Sequence, residues 1–361
     1  MERDEAPNER SGVVSPLRGG VRSVRVAVFG FGGVGRELAR LLAFRGGEIE
    51  RRYGIRFLVV AVADSRGAAV KTEGFTGYEL LKLVEAHRGG VSNTPWGRSG
   101  WSINEVYDEI VPDIHVEATP PDYSTGEPGL SHAFKAVRKG AHFVTANKAP
   151  LALKFWEIME EASKNDVYVG YKATVMAGTP LVSMLRGLRG YSIRRVEGIL
   201  NATTNYILSL MEDKLVDLSD AVRIAVNDGV AEPDPRLDLE GWDAAAKIVI
   251  IANTLGIRLG LSDVNREPLN ASLKDVISAA RRGFRLKYLA VLEGDGGGAW
   301  VGPGEVPRES FLGMARGVLN AVRIDVGVNV ISLSGKGGGV EVTAHALLSD
   351  MLEAVRGWLP P

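Results

Sequence analysis

The apolar run Arg25-Val26-Ala27-Val28-Phe29 passes directly into Gly30-Phe31-Gly32-Gly33-Val34-Gly35, and then into a stripe formed by Val34, Leu38, Leu41 and Leu42. A stripe at 3.6-residue spacing is a helix face, and a short β-branched run ahead of it is a buried strand. The glycines therefore occupy a strand-to-helix turn. In that setting G-x-G-x-x-G lets the backbone close around a pyrophosphate, while the helix N-terminus offers free N–H groups and a partial positive charge. The pattern alone carries little weight in a chain with 44 glycines; its position between strand and helix is what gives it meaning. A glycine turn holding no ligand is the alternative.

Further short apolar runs follow at Arg56–Ala63, Ile114–Ala118 and His142–Thr145, with a helical segment over Leu130–Lys139. Strands alternating with amphipathic helices predict an α/β fold, a Rossmann-type doubly wound parallel sheet. After about residue 150 the texture changes. Val167–Tyr171, Arg194–Leu200 and Arg285–Leu292 read as strands, and Leu181–Leu188, Leu218–Asn227 and Trp242–Leu255 as helices, which predicts a second, α+β domain. The expected division is an N-terminal extension over 1–23, a dinucleotide-binding domain over 24–150, a second domain over 151–320 and a segment over 321–361. That last segment holds the glycine-rich loop Gly335–Gly339 and a helix from Thr343 to about Arg356, expected to return to the first domain.

Composition narrows the function classes. A length of 361 residues suits two domains. The absence of cysteine excludes disulfides, thiolate nucleophiles and iron–sulfur ligation. With 43 basic against 44 acidic residues, nothing favours bulk binding to nucleic acid or an anionic membrane. No apolar run reaches the roughly 18 residues a bilayer span needs, and residues 1–23 lack the apolar core of a secretory signal. A cytoplasmic protein is expected.

The acid expected after the second strand, to bond a ribose 2′-OH, is Asp64; the segment Arg45–Ile55 explains its distance from the glycines. Arg66 suits a 2′-phosphate instead. The two leave NAD and NADP both open, with the balance toward NADP. Thr119 and Lys148 each follow a predicted parallel strand, where open α/β sheets bind ligands; a turn residue and a surface lysine are the plain alternatives.

The most informative stretch is Glu232-Pro233-Asp234-Pro235-Arg236-Leu237-Asp238-Leu239-Glu240-Gly241-Trp242-Asp243-Ala244-Ala245-Ala246-Lys247. Two prolines stiffen a loop dense in carboxylates, and Asp243 and Lys247 share a helix face. Lys247 is the only charge between Ala244 and Ile257. It is either half of a surface ion pair worth about 0.3–0.5 kcal/mol, or an ammonium poised in a cleft to protonate an alkoxide. The acidic loop, suited to a substrate ammonium, favours the second.

In this order GFGGVG, VTANK, ATVMAGTP, EPDPRLDLEGWDAAAK and GKGGGVEVTA resemble the homoserine dehydrogenases, from about Val24 onward. The resemblance implies NAD(P)-dependent interconversion of L-homoserine and L-aspartate 4-semialdehyde, on the route to threonine and methionine, with a homodimer formed through the catalytic second domain. It implies Lys247 as catalytic lysine with Asp243 as its partner, and Lys148 as a second catalytic candidate beside the nicotinamide. Glu232, Asp238 and Thr203 become substrate contacts, and Gly339 joins Gly30, Phe31, Gly32, Gly33, Val34, Gly35, Asp64, Arg66, Thr119 and Lys148 at the cofactor. Many members carry a glutamate where this chain has Lys172, ahead of the carbonyls of Val175, Ala177 and Thr179 that would hold a monovalent cation. The expectation is that sodium binds weakly or not at all. No feedback inhibition by threonine through an ACT-type domain is expected either. A different amino-acid dehydrogenase, acting on aspartate, has no need of the EPDPxxDxxGxDxxxK segment. A silent dinucleotide sensor has no reason to keep Glu232, Asp243 and Lys247 together.

Overall fold

The computed structural model describes residues 21–294 and 296–356. Thirteen strands form two sheets: β1 (Arg22–Phe29), β2 (Ile55–Asp64), β3 (Gly67–Val70), β4 (Gly97–Ser99), β5 (Ile114–Glu117), β6 (His142–Thr145), β7 (Val169–Gly170), β8 (Arg195–Ile199), β9 (Val264–Arg266), β10 (Phe284–Glu293), β11 (Ala299–Pro307), β12 (Leu319–Asp325) and β13 (Val330–Lys336). The first sheet has the order β4-β3-β2-β1-β5-β6-β7 and the second β13-β12-β8-β10-β11-β9.

In the first sheet β2, β1, β5, β6 and β7 run parallel, and β3 and β4 add an antiparallel edge. The central strands are apolar on both faces, as a sheet covered by helices requires: Val26, Ala27, Val28, Val60, Ala61, Val62, Ile114 and Val116 are all buried. Gly33–Tyr53 is one helix of 21 residues, so the stretch from Arg45 lengthens this helix rather than looping out.

Two expected boundaries move. The strand at Val169–Gly170 pairs with Phe143 and Val144 of β6, so the first sheet continues past residue 150. At the other end, β12 and β13 belong to the second sheet. The return to the first domain begins only with the helix Val340–Arg356, whose Ala344, Leu347, Leu348 and Met351 enter the core beneath β1.

The second sheet is mixed. All its neighbours are antiparallel except β11 and β9. The helix Trp242–Thr254 is buried along nearly its whole length, against the second sheet and against the helix Ala149–Lys164 of the first domain. It thus joins the packing of the two domains. No helix among the described residues is long and apolar enough to cross a membrane.

Candidate active site

The glycine loop sits where β1 ends. Gly30 has φ +89°, and a Cβ there would lie 2.3 Å from the Ala118 carbonyl carbon, so only glycine lets β1 and the loop after β5 approach this closely. A Cβ on Gly35 would meet the Gly30 carbonyl oxygen at 2.6 Å. Gly32, by contrast, caps the helix Gly33–Tyr53 with no side-chain cap, and a Cβ there would meet nothing within 4 Å. The helix N-terminus is therefore open at the spot where a pyrophosphate needs it. Val340 approaches Gly33, which brings Gly339 beside the same loop.

Asp64 ends β2. One carboxylate oxygen accepts from the Arg66 N–H at 2.9 Å and the other from the Val91 N–H at 3.1 Å, while Arg66 itself is exposed. Thr119 donates both its N–H and its hydroxyl to Glu117, a fully buried carboxylate at the end of β5. Asn147 Nδ2 reaches the Thr119 hydroxyl at 3.1 Å and Asn147 Oδ1 accepts from Ala149 N–H, so the loops after β5 and β6 are stitched together just before Lys148. Beneath them His132 Nδ1 lies 2.6 Å from Glu117, and His115, stacked on Phe29, lies 3.5 Å from it. Burial pushes the Glu117 carboxyl up, but bonds from His115 and His132 outweigh it and hold it down at about 2.

The charged centre lies between the two sheets. Lys247 is 7% exposed, its ammonium 2.6 Å from Asp243 Oδ2 and 2.6 Å from the Leu200 carbonyl oxygen. Lys148 Nζ approaches Asp243 Oδ1 at 3.3 Å from the first domain. One aspartate is thus gripped by lysines from both domains. Asn201 completes the arrangement: its Nδ2 donates to Asp238 at 2.7 Å and to Asp243 at 2.9 Å, while its Oδ1 caps the helix Ala202–Lys214 through Thr204 N–H.

The electrostatics separate the two acids. Burial would push the Asp243 carboxyl up, but Lys247 and Lys148, with hydrogen bonds from Lys247 and Asn201, leave it well below the usual carboxylate range. Burial, then the charge of Asp243, push the Asp238 carboxyl up, against the pull of Asn201, Thr203 and Lys247. Carboxyls whose environments drive them apart are a mark of acid–base sites. Lys247 has three N–H donors and spends two of them within the chain, so one remains for a guest.

Lys247, Asp243, Lys148, Asp238 and Thr203 therefore converge. Glu232 does not: it is exposed and makes no hydrogen bond or ion pair among the described residues. Lys172 faces elsewhere, its ammonium paired with Glu353 and 3.8 Å from Asp350 of the last helix. Of the carbonyl donors considered for a cation, that of Thr179 accepts from Leu181 N–H. Asn201 escaped the sequence reading. Asn201 stood in plain view at the start of an N-A-T-T-N run, but an N-cap asparagine ordinarily signals only a helix start.

Fold and site together define a two-domain, dinucleotide-dependent oxidoreductase acting on a CH–OH group, with NAD or NADP as its cofactor. Residues 180–352 match the homoserine dehydrogenase family and residues 30–172 the NAD-binding domain of homoserine dehydrogenase. A homoserine dehydrogenase of Methanocaldococcus jannaschii is 35% identical over 333 residues, 91% of this chain and 97% of that protein. An NAD(+)-dependent homoserine dehydrogenase of Pseudomonas canavaninivorans is 35% identical over 91% of this chain and 95% of its own length. The crystal structure of a putative homoserine dehydrogenase from Archaeoglobus fulgidus superposes with TM-score 0.81 at 34% identity, covering 91% of this chain and 98% of that one. A hyperthermophilic archaeal homoserine dehydrogenase mutant in complex with NADPH gives TM-score 0.79 at 29% identity, over 93% and 99%. The chain belongs to the homoserine dehydrogenase family.

Proposed function

We propose that Lys247 is the proton donor and acceptor at the substrate oxygen, and that the Lys148–Asp243–Lys247 clamp carries this reading. When bound, the nicotinamide would supply the hydride chemistry at the carbinol carbon of homoserine and the aldehyde carbon of the semialdehyde. The residues of the chain do the rest. In aldehyde reduction Lys247 gives the proton of its unspent N–H to the oxygen, directly or through water, and in homoserine oxidation the neutral amine so formed takes the hydroxyl proton back. Lys148 adds positive charge where the oxygen becomes negative. Asp243 holds both ammoniums in place, and Asn201 fixes Asp243 from behind. Asp238 and Thr203 face the substrate ammonium, with Glu232 joining them when the domains close around it. Gly30–Gly35, Thr119 and Gly339 orient the dinucleotide.

The adenosine end favours NADP in this reading, because both oxygens of Asp64 are engaged by backbone N–H groups while Arg66 is exposed beside them. The test is homoserine oxidation followed by the absorbance of the reduced nicotinamide, with NAD and NADP in parallel. The expected result is turnover with both and a higher kcat/KM with NADP; a strong NAD preference would return the 2′-OH role to Asp64.

The chain acts in the cytoplasm as a homodimer through its second domain, in keeping with the exposed Met314 and Val318 ahead of β12 and Val328 and Val330 at the turn into β13; light scattering on the purified protein checks the dimer. With Lys172 committed to Glu353 and Asp350, no side-chain carboxylate serves a cation at Val175, Ala177 and Thr179 from that position. Activity and thermal stability are expected to be the same in sodium and in tetramethylammonium chloride.

A further inference from the structure

Tyr123 lies on the loop after β5, and nothing above uses it. Its side chain is buried, 7% exposed, in a small cluster with Ala149, Ala152 and Ala246, flanked by Trp242 and Leu261. Ala149 follows Lys148 in the chain and Ala246 precedes Lys247, so the ring belongs to the packing that seats both lysine-bearing helices. Its hydroxyl has no hydrogen-bond partner among the described residues. The charged groups facing it are Asp243, then Asp238.

A buried hydroxyl left without a partner destabilises the fold, and phenylalanine would fill the same space without that cost. The hydroxyl therefore has a use only when something joins it. Burial first, then Asp243 and Asp238, push the phenol well above its ordinary value, so it keeps its proton at any working pH and is a standing donor. The group it can serve is an acceptor entering between Lys148 and Lys247.

We propose that Tyr123 is a substrate-contacting residue whose hydroxyl donates to the oxygen-bearing end of the substrate, beside Lys148 and Lys247. The proposal rests on the homoserine–semialdehyde reading of the site. A donor aimed at an oxygen that gains negative charge strengthens toward the transition state, so its effect belongs in kcat.

The experiment is Tyr123→Phe, assayed for homoserine oxidation and aldehyde reduction beside the unchanged enzyme, with thermal unfolding of the ligand-free proteins. Expected are a kcat lower by about 10²-fold to 10³-fold, KM values for homoserine and dinucleotide within about threefold, and a ligand-free Tm equal to or above that of the parent. An unchanged kcat would overturn the proposal. So would a rise in homoserine KM alone, which would place the hydroxyl at the amino-acid end. A drop in ligand-free Tm would overturn it too, by showing that the hydroxyl is already paired within the fold. If the parent enzyme oxidises no homoserine, the reading of the site fails first and takes the assignment with it; activity in the parent with an indifferent variant sinks Tyr123 alone.

Discussion

Two buried lysine–aspartate clusters stand among the described residues, and they put the same residue types to opposite ends. At the site, Asp243 is held by Lys247, Lys148 and Asn201, and its charge is stabilised. At the seam between the first sheet and the last helix, Lys172 gives its ammonium to Glu353 and stands 3.8 Å from Asp350. Asp350, fully buried, instead accepts from the Lys172 N–H at 2.7 Å and from the Tyr168 hydroxyl at 3.0 Å. Burial pushes its carboxyl up to about 6, only partly countered by Lys172. Arg186 closes this second network through Glu353 and Tyr168. One cluster leaves a lysine proton unspent and touches the cleft; the other spends its charges inside the fold. On the proposed reading of the site, what separates the catalytic cluster from the structural one is how many donors are left over, not which residues are present.

The largest effect should come from removing the spare donor. Lys247→Met is expected to lower kcat by about 10³-fold, with dinucleotide affinity by fluorescence titration nearly unchanged, because Asp243 keeps Lys148 and Asn201. If binding and turnover fall together, the two clusters are alike and both are structural. Next, Lys172→Met should leave kcat within about threefold while costing about 1–3 kcal/mol of stability, since buried Asp350 loses its lysine and Glu353 is left with Arg186 alone; calorimetry reads this as a lower Tm. A large loss of kcat with an unmoved Tm would break the comparison.

The smallest effect concerns pH. Asp350 has a folded value near 6 against an ordinary 3.8. Its raised value favours folding with the carboxyl neutral; that contribution is complete below the ordinary value and is lost as pH rises through about 6. Asp350→Asn cannot ionise. Its Tm relative to the parent should therefore climb between about pH 4 and pH 6 and level off above. A flat difference would mean that Lys172 already keeps Asp350 ionised throughout.

Much of the first sheet was legible because β1, β2, β5 and β6 are continuous apolar runs closed by glycine or by turn residues. The glycine loop was legible for the same reason. The elements missed are those whose pattern is weak or shared. β13 alternates exposed with half-buried residues, and its last two, Gly335 and Lys336, were read as loop although they pair with Asn320 and Leu319. β7 was read as a strand within Val167–Tyr171 but placed in the second domain, because two paired residues carry no pattern that says which sheet they join. At the site, Asp243 and Lys247 announced themselves by spacing on one helix. Asn201 and Tyr123 reach the same point from distant parts of the chain, and only the packing of two sheets around one helix reveals it.

That the last helix completes the first core also sets an order in time. Ala344, Leu347, Leu348 and Met351 pack into the same core as Val26, Val28, Leu38 and Ile114. As the chain leaves the ribosome, the half that emerges first cannot finish its own core until nearly all of the rest has been made. Domains that fold from one continuous stretch can be complete early in synthesis; this one must wait, with its dinucleotide pocket the last thing to become whole.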